Sequence, residues 1–394
     1  MRYAIVTDTY TPEINGVALT LQSYAEGLRA RGHTVEIVRP TRAGETPGDD
    51  RDDTLRIRGV RLPLYRGLRI GLPARRRLQA HWRSRRPDAL YVATEGMLGA
   101  SAIRAARALD IPVVTALHTR FDLYMADYGL GLLEPLALAW MRRFHSAGDA
   151  SVVATRAFAA WWRTQGGAHA TVLSRGVDCV RFDPARREAA LRDAWGVGET
   201  GLAVIHIGRI AAEKNLGLAL RAFREIQQRR PDARMIFVGD GPQRDALQRA
   251  HPDVLFVGTL RGCDLARHLA SADLFLFPSR SETFGNVVLE AMASGVPQVA
   301  FALGAAAEHL CDRRHGACVD GDAEDFIAAA LRLAADDRGR QAMALAGREA
   351  MRRLGPAQVA GELDALLAGA RGLRSRTSQD PPSTPEPHHA RTAA

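Results

Sequence analysis

The chain has 394 residues, of which 46% are hydrophobic and 25% charged, a globular composition in a chain too long for one small core. We therefore expect two domains of ordinary size. The formal net charge of +9 favours anionic partners, and the four cysteines are scattered without a Cys-x2-Cys pair, which argues against zinc and disulfide frameworks.

The first residues of the chain predict a buried strand rather than a targeting segment. Residues 1–8 lack the long apolar core of a signal peptide. No apolar run in the sequence approaches the roughly 18 residues that a membrane-spanning helix needs. We expect a cytoplasmic protein that at most lies peripherally on the inner face of a membrane.

Short apolar runs alternate with amphipathic helical stretches along most of the chain. The predicted strands form two successive series, at residues 3–7, 35–38, 89–93, 113–117, 151–154 and 171–173, and then at 202–207, 234–238, 254–257, 273–277 and 298–301. Predicted helices between them include 18–31, 100–109 and 218–229. Strand–helix alternation is typical of parallel, doubly wound sheets, so the sequence predicts an α/β fold with two such domains.

Several informative residues directly follow predicted strands, where open parallel sheets bind ligands. Gly16 opens the helix after the first strand and leaves room for a phosphate to approach backbone N–H groups. Glu95 and Gly96 follow the third strand, and His118 follows the fourth. The chain has neither the Gly-x-Gly-x-x-Gly fingerprint nor a P-loop at these turns, so neither NAD nor ATP is favoured. The alternatives to a binding role are that Gly16 only forms a turn and that His118 is only a packed or surface side chain.

Lys214 is the only lysine of the chain, and all other basic residues except histidine are arginines. Our hypothesis is that the base composition of the genome causes this strong bias towards arginine. Against that bias, a single lysine indicates a task for a compact ammonium group with three donors. The alternative is that this one lysine was retained by chance and has no specific role.

The segment 278–297 is the most informative stretch of the sequence, with a strand end, a polar turn and a predicted helix at 284–293. A helix start leaves backbone N–H groups unpaired and carries the positive end of the helix dipole, so it favours an anion such as phosphate. Glu282 precedes this helix, while Asn286 and Glu290 share one face of it. Ordinary surface glutamates on a solvated helix are the alternative.

The Glu282-x7-Glu290 pair within this segment resembles the signature of the family-4 retaining glycosyltransferases of GT-B architecture. The overall pattern looks closest to the GDP-mannose-dependent α-mannosyltransferases. Three further segments resemble motifs of that family. They are the Asn15-Gly16-Val17 turn, the His118-Thr119 strand end and the run Gly208-Arg209…Glu213-Lys214-Asn215.

The resemblance implies roles for residues of both halves of the chain. The implied catalytic residues are His118, Arg209, Lys214 and Glu282. The implied donor-binding residues are Gly16, Arg209, Lys214, Leu260, Asp264, Phe284, Gly285, Asn286, Val287, Val288 and Glu290. In this scheme Arg209 and Lys214 neutralise the donor diphosphate, Glu290 holds the ribose, and Glu282 with His118 holds the sugar. Tyr10, Glu95 and Gly96 are implied on the acceptor side.

The resemblance also implies a domain division. We expect a first, acceptor-side domain at 1–183 and a nucleotide-sugar-binding domain at 184–355. A last helix at about 356–372 would return to the first domain, as is common in GT-B proteins. The Pro/Ser/Thr-rich tail at 373–394 is expected to be disordered.

No metal or other cofactor is predicted, and a nucleoside-diphosphate sugar would be the co-substrate. A metal-dependent GT-A enzyme would use an Asp-x-Asp motif. The two candidates, Asp50-Arg51-Asp52 and Asp320-Gly321-Asp322, both fit solvated turns.

A strongly basic stretch spans residues 56–86, with eleven arginines interleaved with apolar residues. Such a stretch predicts contact with an anionic membrane surface, and a solvated arginine-rich face is the alternative. No recognised nucleic-acid fold accompanies it, so nucleic acid is not a predicted partner.

The resemblance implies an enzyme that transfers a hexose to a lipid or glycan acceptor with retention of the anomeric configuration. The best match for the donor is GDP-mannose, which would supply mannose. A UDP-sugar-dependent transferase is the alternative within the family. A nucleotide-sugar epimerase is a further alternative within the same fold. A non-catalytic member that binds membranes or polyanions is the alternative from another functional class.

Overall fold

The computed structural model describes residues 1–13, 15–42, 44–45, 53–61, 69–118 and 134–377, with side chains up to residue 370. Two parallel sheets organise the chain, one in each half. This confirms the predicted α/β class with two doubly wound, Rossmann-like units.

The first sheet has seven parallel strands in the order β3-β2-β1-β6-β7-β8-β9. Its strands are β1 (Arg2–Val6), β2 (Thr34–Pro40), β3 (Thr54–Ile57), β6 (Ala89–Val92), β7 (Val113–Leu117), β8 (Ala150–Val153) and β9 (Ala170–Val172). A separate antiparallel hairpin joins β4 (Gly59–Arg61) to β5 (Arg69–Gly71). The helices of this half are α1 (Gly16–Ala30), α2 (Arg75–Ser84), α3 (Met97–Arg107), α4 (Glu134–His145) and α5 (Arg156–Thr164).

The second sheet has six parallel strands in the order β12-β11-β10-β13-β14-β15. Its strands are β10 (Ala203–Ile207), β11 (Arg234–Val238), β12 (Leu255–Gly258), β13 (Leu274–Phe277), β14 (Gln298–Phe301) and β15 (Gly316–Val319). The helices are α6 (Ala189–Ala194), α7 (Leu216–Arg229), α8 (Arg244–Ala250), α9 (Gly262–Ala270), α10 (Asn286–Ala293), α11 (Gly304–His309), α12 (Ala323–Ala335), α13 (Asp337–Met351) and α14 (Pro356–Thr377).

Each sheet is apolar on both faces because helices cover both sides of it. In β1, Tyr3 and Ile5 pack into one core cluster, while Ala4 and Val6 pack into another on the opposite face. Strand β10 alternates in the same way between two clusters of the second half. Two-sided burial explains why the strands read as continuous apolar runs rather than as alternating ones.

The last helix, α14, packs on the first half of the chain. Val359, Leu363 and Leu367 join the core cluster of β1 and α1, and the Tyr3 hydroxyl donates a hydrogen bond to Asp364 at 2.7 Å. The helix continues to Thr377, past the end expected from the sequence, because no proline interrupts it there. The rest of the expected disordered tail, residues 378–394, lies outside the described residues.

The predicted domain division at 183/184 falls between the two sheets, where a short 3-10 helix begins at Pro184. The exact boundaries of the two domains stay a prediction. Among the residues that the structure describes, no helix is both long enough and apolar enough to cross a bilayer.

The basic stretch 56–86 folds into β3, the hairpin and α2 rather than into one amphipathic surface; residues 62–68 lie outside the described part. Leu78 and Trp82, the large apolar side chains of α2, are fully buried, and the Trp82 indole donates to Glu36 at 3.0 Å. These two side chains complete the packing of α2 on the sheet, so they face the core. The arginines of α2 are turned outward.

Candidate active site

Chain segments that follow strands of both sheets contact each other between the two halves, and we call this region the cleft. The start of α1 touches the start of α10, where the Asn286 side-chain amide donates to the Gly16 carbonyl at 3.5 Å. The structure thus brings Gly16 and Asn286 together from opposite halves of the chain.

The turn before α10 adopts a conformation that requires glycine. Gly285 has φ +85°, and a Cβ built on it would lie 3.3 Å from the Phe277 ring. Helix α10 begins at Asn286, two residues later than the sequence suggested. Its first N–H groups and the positive end of its dipole are therefore presented at the cleft.

Lys214 and Glu282 form an ion pair in the cleft. The Lys214 ammonium contacts the Glu282 carboxylate, and their side chains are 20% and 12% exposed. Burial alone would raise the pKa of Glu282, but Lys214 and, more weakly, Arg175 outweigh it, so its pKa is lowered. The family resemblance implies separate tasks for these two residues. The structure shows that they are direct partners.

Glu290 has no hydrogen-bonded or ionic side-chain partner among the described residues. It lies one turn into α10 and is half-buried. Burial raises its pKa to about 7, and the Arg181 charge acts against that effect. A carboxylate with free acceptors inside a cleft is suited to receive hydrogen bonds from a bound hydroxyl pair.

His118 lies at the end of β7 and is 7% exposed. Its Nε2 is 3.2 Å from the Tyr91 hydroxyl, and its Nδ1 has no partner within the described part of the chain. Burial, assisted by the Arg175 charge, lowers the pKa of His118 to about 3. The imidazole is therefore neutral and can exchange hydrogen bonds with an uncharged ligand group.

The other donor-side residues divide into charged groups and buried ones. Arg209 lies beside Glu213 at 3.3 Å with its side chain 40% exposed. Phe284 and Val288 are buried in the core and Val287 is half-buried against it, so their side chains are not presented to a ligand. The Val288 N–H already donates to the Gly285 carbonyl at 3.1 Å.

Two further residues implied in donor binding follow the edge strand β12. Leu260 is half-buried against the core, and Asp264 lies in the first turn of α9. The Asp264 side chain is 64% exposed and pairs with Arg267 at 3.4 Å. No contact described in the structure joins either residue to the Lys214–Glu282 pair.

The acceptor-side residues are engaged within the first half of the chain. Glu95 lies 3.3 Å from His145 Nε2, and a Cβ on Gly96 would lie 2.3 Å from an Asp8 oxygen. Tyr10 is half-buried against the core around β1 and α1. Asp8, which was not selected from the sequence, accepts from the Gly71 N–H at 2.8 Å, and burial raises its pKa to about 6.

Arg175 is the main residue of the cleft that was not predicted from the sequence. It follows β9, is 6% exposed and stacks over the Phe284 ring at 4.9 Å. Its Nη1 donates to the Asn286 side-chain oxygen at 3.1 Å. The signal that would have found it is its place after a strand of the first sheet. Its turn-rich segment, residues 175–184, instead favours a linker between the two domains.

Asp322 has a structural explanation that needs no metal. Its side chain accepts from the N–H groups of Glu324 and Asp325 at the start of α12, and Asp325 reaches back to the Asp322 N–H at 3.0 Å. The other candidate motif, at residues 50–52, lies outside the described part. Within the described ranges, no group of three or more His, Cys, Asp or Glu side chains is placed to hold a metal ion.

Two concave regions lie away from the cleft. One of about 330 Å³ is formed by α3 and α4 and includes Arg104, Arg143 and Trp140, and another of about 740 Å³ lies against α7 and α12. Neither is lined by a predicted site residue. We place the candidate active site in the interdomain cleft because the ion pair, the unpartnered carboxylate and the helix start converge there.

Comparison with known proteins identifies the class. The model described as Glycosyltransferase Family 4 matches residues 14–181, and the model described as Glycosyl transferases group 1 matches residues 201–336. Sucrose-phosphate synthase from Thermosynechococcus elongatus has the same fold, with a TM-score of 0.79 at 19% identity over 93% of this chain and 98% of its own. The architecture is that of the GT-B glycosyltransferases.

A relative at 33% identity shows the family, and a second relative is similar at lower identity. The chain is 33% identical over 384 residues to a GDP-mannose-dependent alpha-mannosyltransferase of Mycolicibacterium smegmatis, a match that covers 95% of this chain and 100% of the relative. It is 26% identical over 344 residues to the alpha-monoglucosyldiacylglycerol synthase of Streptococcus pneumoniae, covering 82% of this chain and 76% of the relative. The chain belongs to the family-4 glycosyltransferases and is a glycosyltransferase.

Proposed function

We propose that the protein transfers mannose from GDP-mannose, with retention at the anomeric carbon, to a lipid or glycan acceptor. The observation that carries this proposal is the convergence of the Lys214–Glu282 pair and the unpartnered Glu290 at the start of α10. The similarity to GDP-mannose-dependent relatives supports the donor, and the diacylglycerol named in the other relative supports a lipid acceptor.

In the proposed complex, the donor diphosphate lies at the start of α10, opposite Gly16. The Lys214 ammonium turns from Glu282 toward the phosphates, where negative charge develops as the sugar leaves. Glu290 accepts hydrogen bonds from the ribose hydroxyls. Glu282, released from Lys214, and the neutral His118 hold the hydroxyls of the sugar.

The reaction needs no covalent nucleophile from the protein. The bond between the anomeric carbon and the diphosphate oxygen breaks, and the acceptor oxygen bonds to the same face of that carbon. The departing phosphate oxygen takes the acceptor proton. Catalysis then consists of orientation and charge stabilisation, with closure of the cleft excluding water.

Calorimetry with GDP, UDP, GDP-mannose and UDP-glucose, followed by a donor hydrolysis assay, tests the proposal. We expect GDP and GDP-mannose to bind more tightly than the uridine ligands, and GDP-mannose to be hydrolysed slowly without acceptor. Preference for UDP would support the UDP-sugar alternative. Conversion of UDP-glucose to a second sugar without any acceptor would support an epimerase, and absence of all binding would leave a non-catalytic protein.

We propose in addition that the enzyme works peripherally on the inner face of an anionic membrane. The support is the row of outward arginines on α2, Arg75, Arg76 and Arg77. Because Leu78 and Trp82 are buried, this contact would be electrostatic and sensitive to salt.

Flotation with phosphatidylglycerol vesicles tests the membrane contact. Changing Arg75, Arg76 and Arg77 to Glu should abolish flotation, while the same change at Arg338, Arg352 and Arg353, exposed on the second half, should not. Equal loss in both triple variants would indicate net charge rather than a docking surface. No flotation of the unmodified protein would refute the contact.

A further inference from the structure

We propose that Arg175 binds the distal phosphate of the nucleoside diphosphate, as a third cation of the donor site supplied from the segment that joins the two halves of the chain. This inference rests on the proposed function, and it adds a residue that the family resemblance did not imply. Three features of the surroundings of Arg175 carry it: its position, its missing counter-ion and its free donor.

The Arg175 guanidinium lies between two helix starts. Its Nη1 donates to Asn286, the first residue of α10, at 3.1 Å. The same nitrogen would lie 3.5 Å from a Cβ built on Gly16, the first residue of α1. Each helix start contributes the positive end of a dipole, so three positive groups share one small region. An anion bound there would relieve their mutual repulsion.

The guanidinium has no carboxylate partner in the part of the chain that the structure describes. It is 6% exposed, and its contacts are an amide oxygen and the face of the Phe284 ring at 4.9 Å. The carboxylate that acts on it electrostatically, Glu282, is already paired with Lys214. A buried cation without a counter-ion is unfavourable, and a phosphate oxygen would supply the missing charge.

Arg175 also keeps a donor unused. Its Nε is buried and has no hydrogen-bond partner among the described residues. Burial is the largest influence on the pKa of Arg175 and lowers it, but an arginine stays charged in proteins. The Nε–H and one terminal N–H form a fork that matches two oxygens of a phosphate group.

The position relative to His118 selects the distal phosphate. Ser174, the residue before Arg175, accepts a hydrogen bond from the Tyr24 hydroxyl, and the Tyr24 ring packs edge-on against Tyr91. The Tyr91 hydroxyl lies 3.2 Å from His118, the residue proposed to hold the sugar. Arg175 itself contacts Asn286, and Glu290, proposed to hold the ribose, lies one turn further along α10. The phosphate that carries the sugar lies between these two ends of the donor. Arg175 is therefore placed to contact that phosphate and not the one attached to the ribose.

A purely structural role is the competing explanation, in which Arg175 only ties the two halves together through Asn286. The two explanations differ in their effect on a nucleoside monophosphate, which lacks the distal phosphate. Loss of a structural tie would weaken monophosphate and diphosphate binding alike. Loss of a phosphate ligand would weaken the diphosphate alone.

Calorimetry on the full chain with GDP and GMP, or with UDP and UMP if the unmodified protein prefers uridine, separates them. We expect Arg175→Gln to weaken diphosphate binding about 10- to 100-fold, as for loss of a charge-assisted hydrogen bond, and to change monophosphate binding less than about threefold. Arg175→Lys, which keeps the charge but not the fork, should fall between. Arg221→Gln, an exposed arginine of α7, should leave both affinities unchanged.

Each outcome decides the question. Equal weakening of both ligands by Arg175→Gln, or no weakening of either, overturns the inference. Retained monophosphate binding shows that the variant is folded, and if Arg175→Gln does not fold, the diphosphate-to-monophosphate ratio of Arg175→Lys decides in the same way. Failure of the unmodified protein to bind any diphosphate refutes the proposed function instead.

Discussion

The Lys214 ammonium is paired with Glu282 in the structure. In the proposed mechanism, a diphosphate that attracts the ammonium would also release the carboxylate for the sugar, so Lys214 would connect charge neutralisation with sugar binding. This exchange explains how a single lysine in an arginine-rich chain can have a specific role, since a compact ammonium turns between two partners more readily than a planar fork.

Replacing Lys214 with Ala should lower kcat/KM by about two to three orders of magnitude, as for loss of one donor to a transition state. It should also destabilise the fold on the order of 3 kcal/mol, because Glu282 is left buried and unpaired. Initial rates and thermal unfolding measure the two effects.

The double variant Lys214→Ala/Glu282→Gln separates the two effects. It should recover most of the stability and none of the activity. Recovery of activity in the double variant, or a kcat/KM loss below tenfold in the single one, would mean that the ammonium does not act on the diphosphate.

The Glu290 carboxyl should make nucleotide binding depend on pH. Its pKa is raised to about 7, and accepting two ribose hydrogen bonds requires the ionised form. The affinity for GDP should therefore rise about tenfold from pH 6 to pH 8 relative to Glu290→Gln, which has no charge to lose. Calorimetry at several pH values measures this ratio, and a ratio that stays constant would remove Glu290 from the ribose site.

The same carboxyl predicts a pH effect on stability with a defined sign. A group whose pKa is raised in the folded state contributes stability that is complete below its ordinary value, near 4.5, and is lost as the pH rises through about 7. Without nucleotide, Glu290→Gln should therefore gain stability over the unmodified protein between pH 5 and pH 8. A difference in melting temperature that does not change with pH would contradict this expectation.

At the scale of elements, the turn before α10 is the part of the site that depends most on backbone geometry. Gly285→Ala should destabilise the protein on the order of 1–2 kcal/mol, because φ +85° disfavours a side chain and the Cβ would meet Phe277 at 3.3 Å. It should also weaken GDP binding by displacing the start of α10. Calorimetry and denaturant titration measure both quantities.

Gly217→Ala provides the control for that substitution. Gly217 lies in α7, and a methyl group added there would have no neighbouring atom within 4 Å, so alanine should be neutral or stabilising by at most about 1 kcal/mol. If the two glycine variants behaved alike, the turn geometry would not be responsible.

Strand-end residues such as His118 and Gly16 were predictable because parallel sheets collect their carboxyl ends at one edge. The Lys214–Glu282 pair was not predictable, because its members are 68 residues apart and only the tertiary structure joins them. Arg175 was missed because a turn-rich segment indicates a linker, and its burial arises from packing between halves. Strand β15 was missed because GACV is short and has little strand character of its own.

At the scale of the whole molecule, α14 holds the last part of the chain against the first. A Cβ built on Gly27 of α1 would lie 2.5 Å from the Cβ of Ala360, so the two helices approach as closely as their backbones allow. Gly27→Ala should lower the free energy of unfolding by about 1–3 kcal/mol, and with it the melting temperature, although alanine is normally the better helix former.

A size exchange tests whether that contact is the cause. Gly27→Ala combined with Ala360→Gly should regain most of the lost stability, whereas Gly361→Ala, whose added methyl would meet only the Arg31 side chain at 3.5 Å, should lose none. Calorimetric unfolding measures all three variants. If the exchange gave no recovery, the loss would have to come from α1 itself rather than from its contact with α14.

The return of α14 also bears on how the protein is made. Val359, Leu363, Leu367 and Ala370 cover one apolar face of the first sheet, yet they are translated after every residue of the second sheet. On the ribosome, the part of that face that α1 does not cover must therefore stay exposed while the second half is synthesised and can fold. Completion of the first half is a post-translational event, and a nascent chain stalled before residue 356 would expose a surface that chaperones bind.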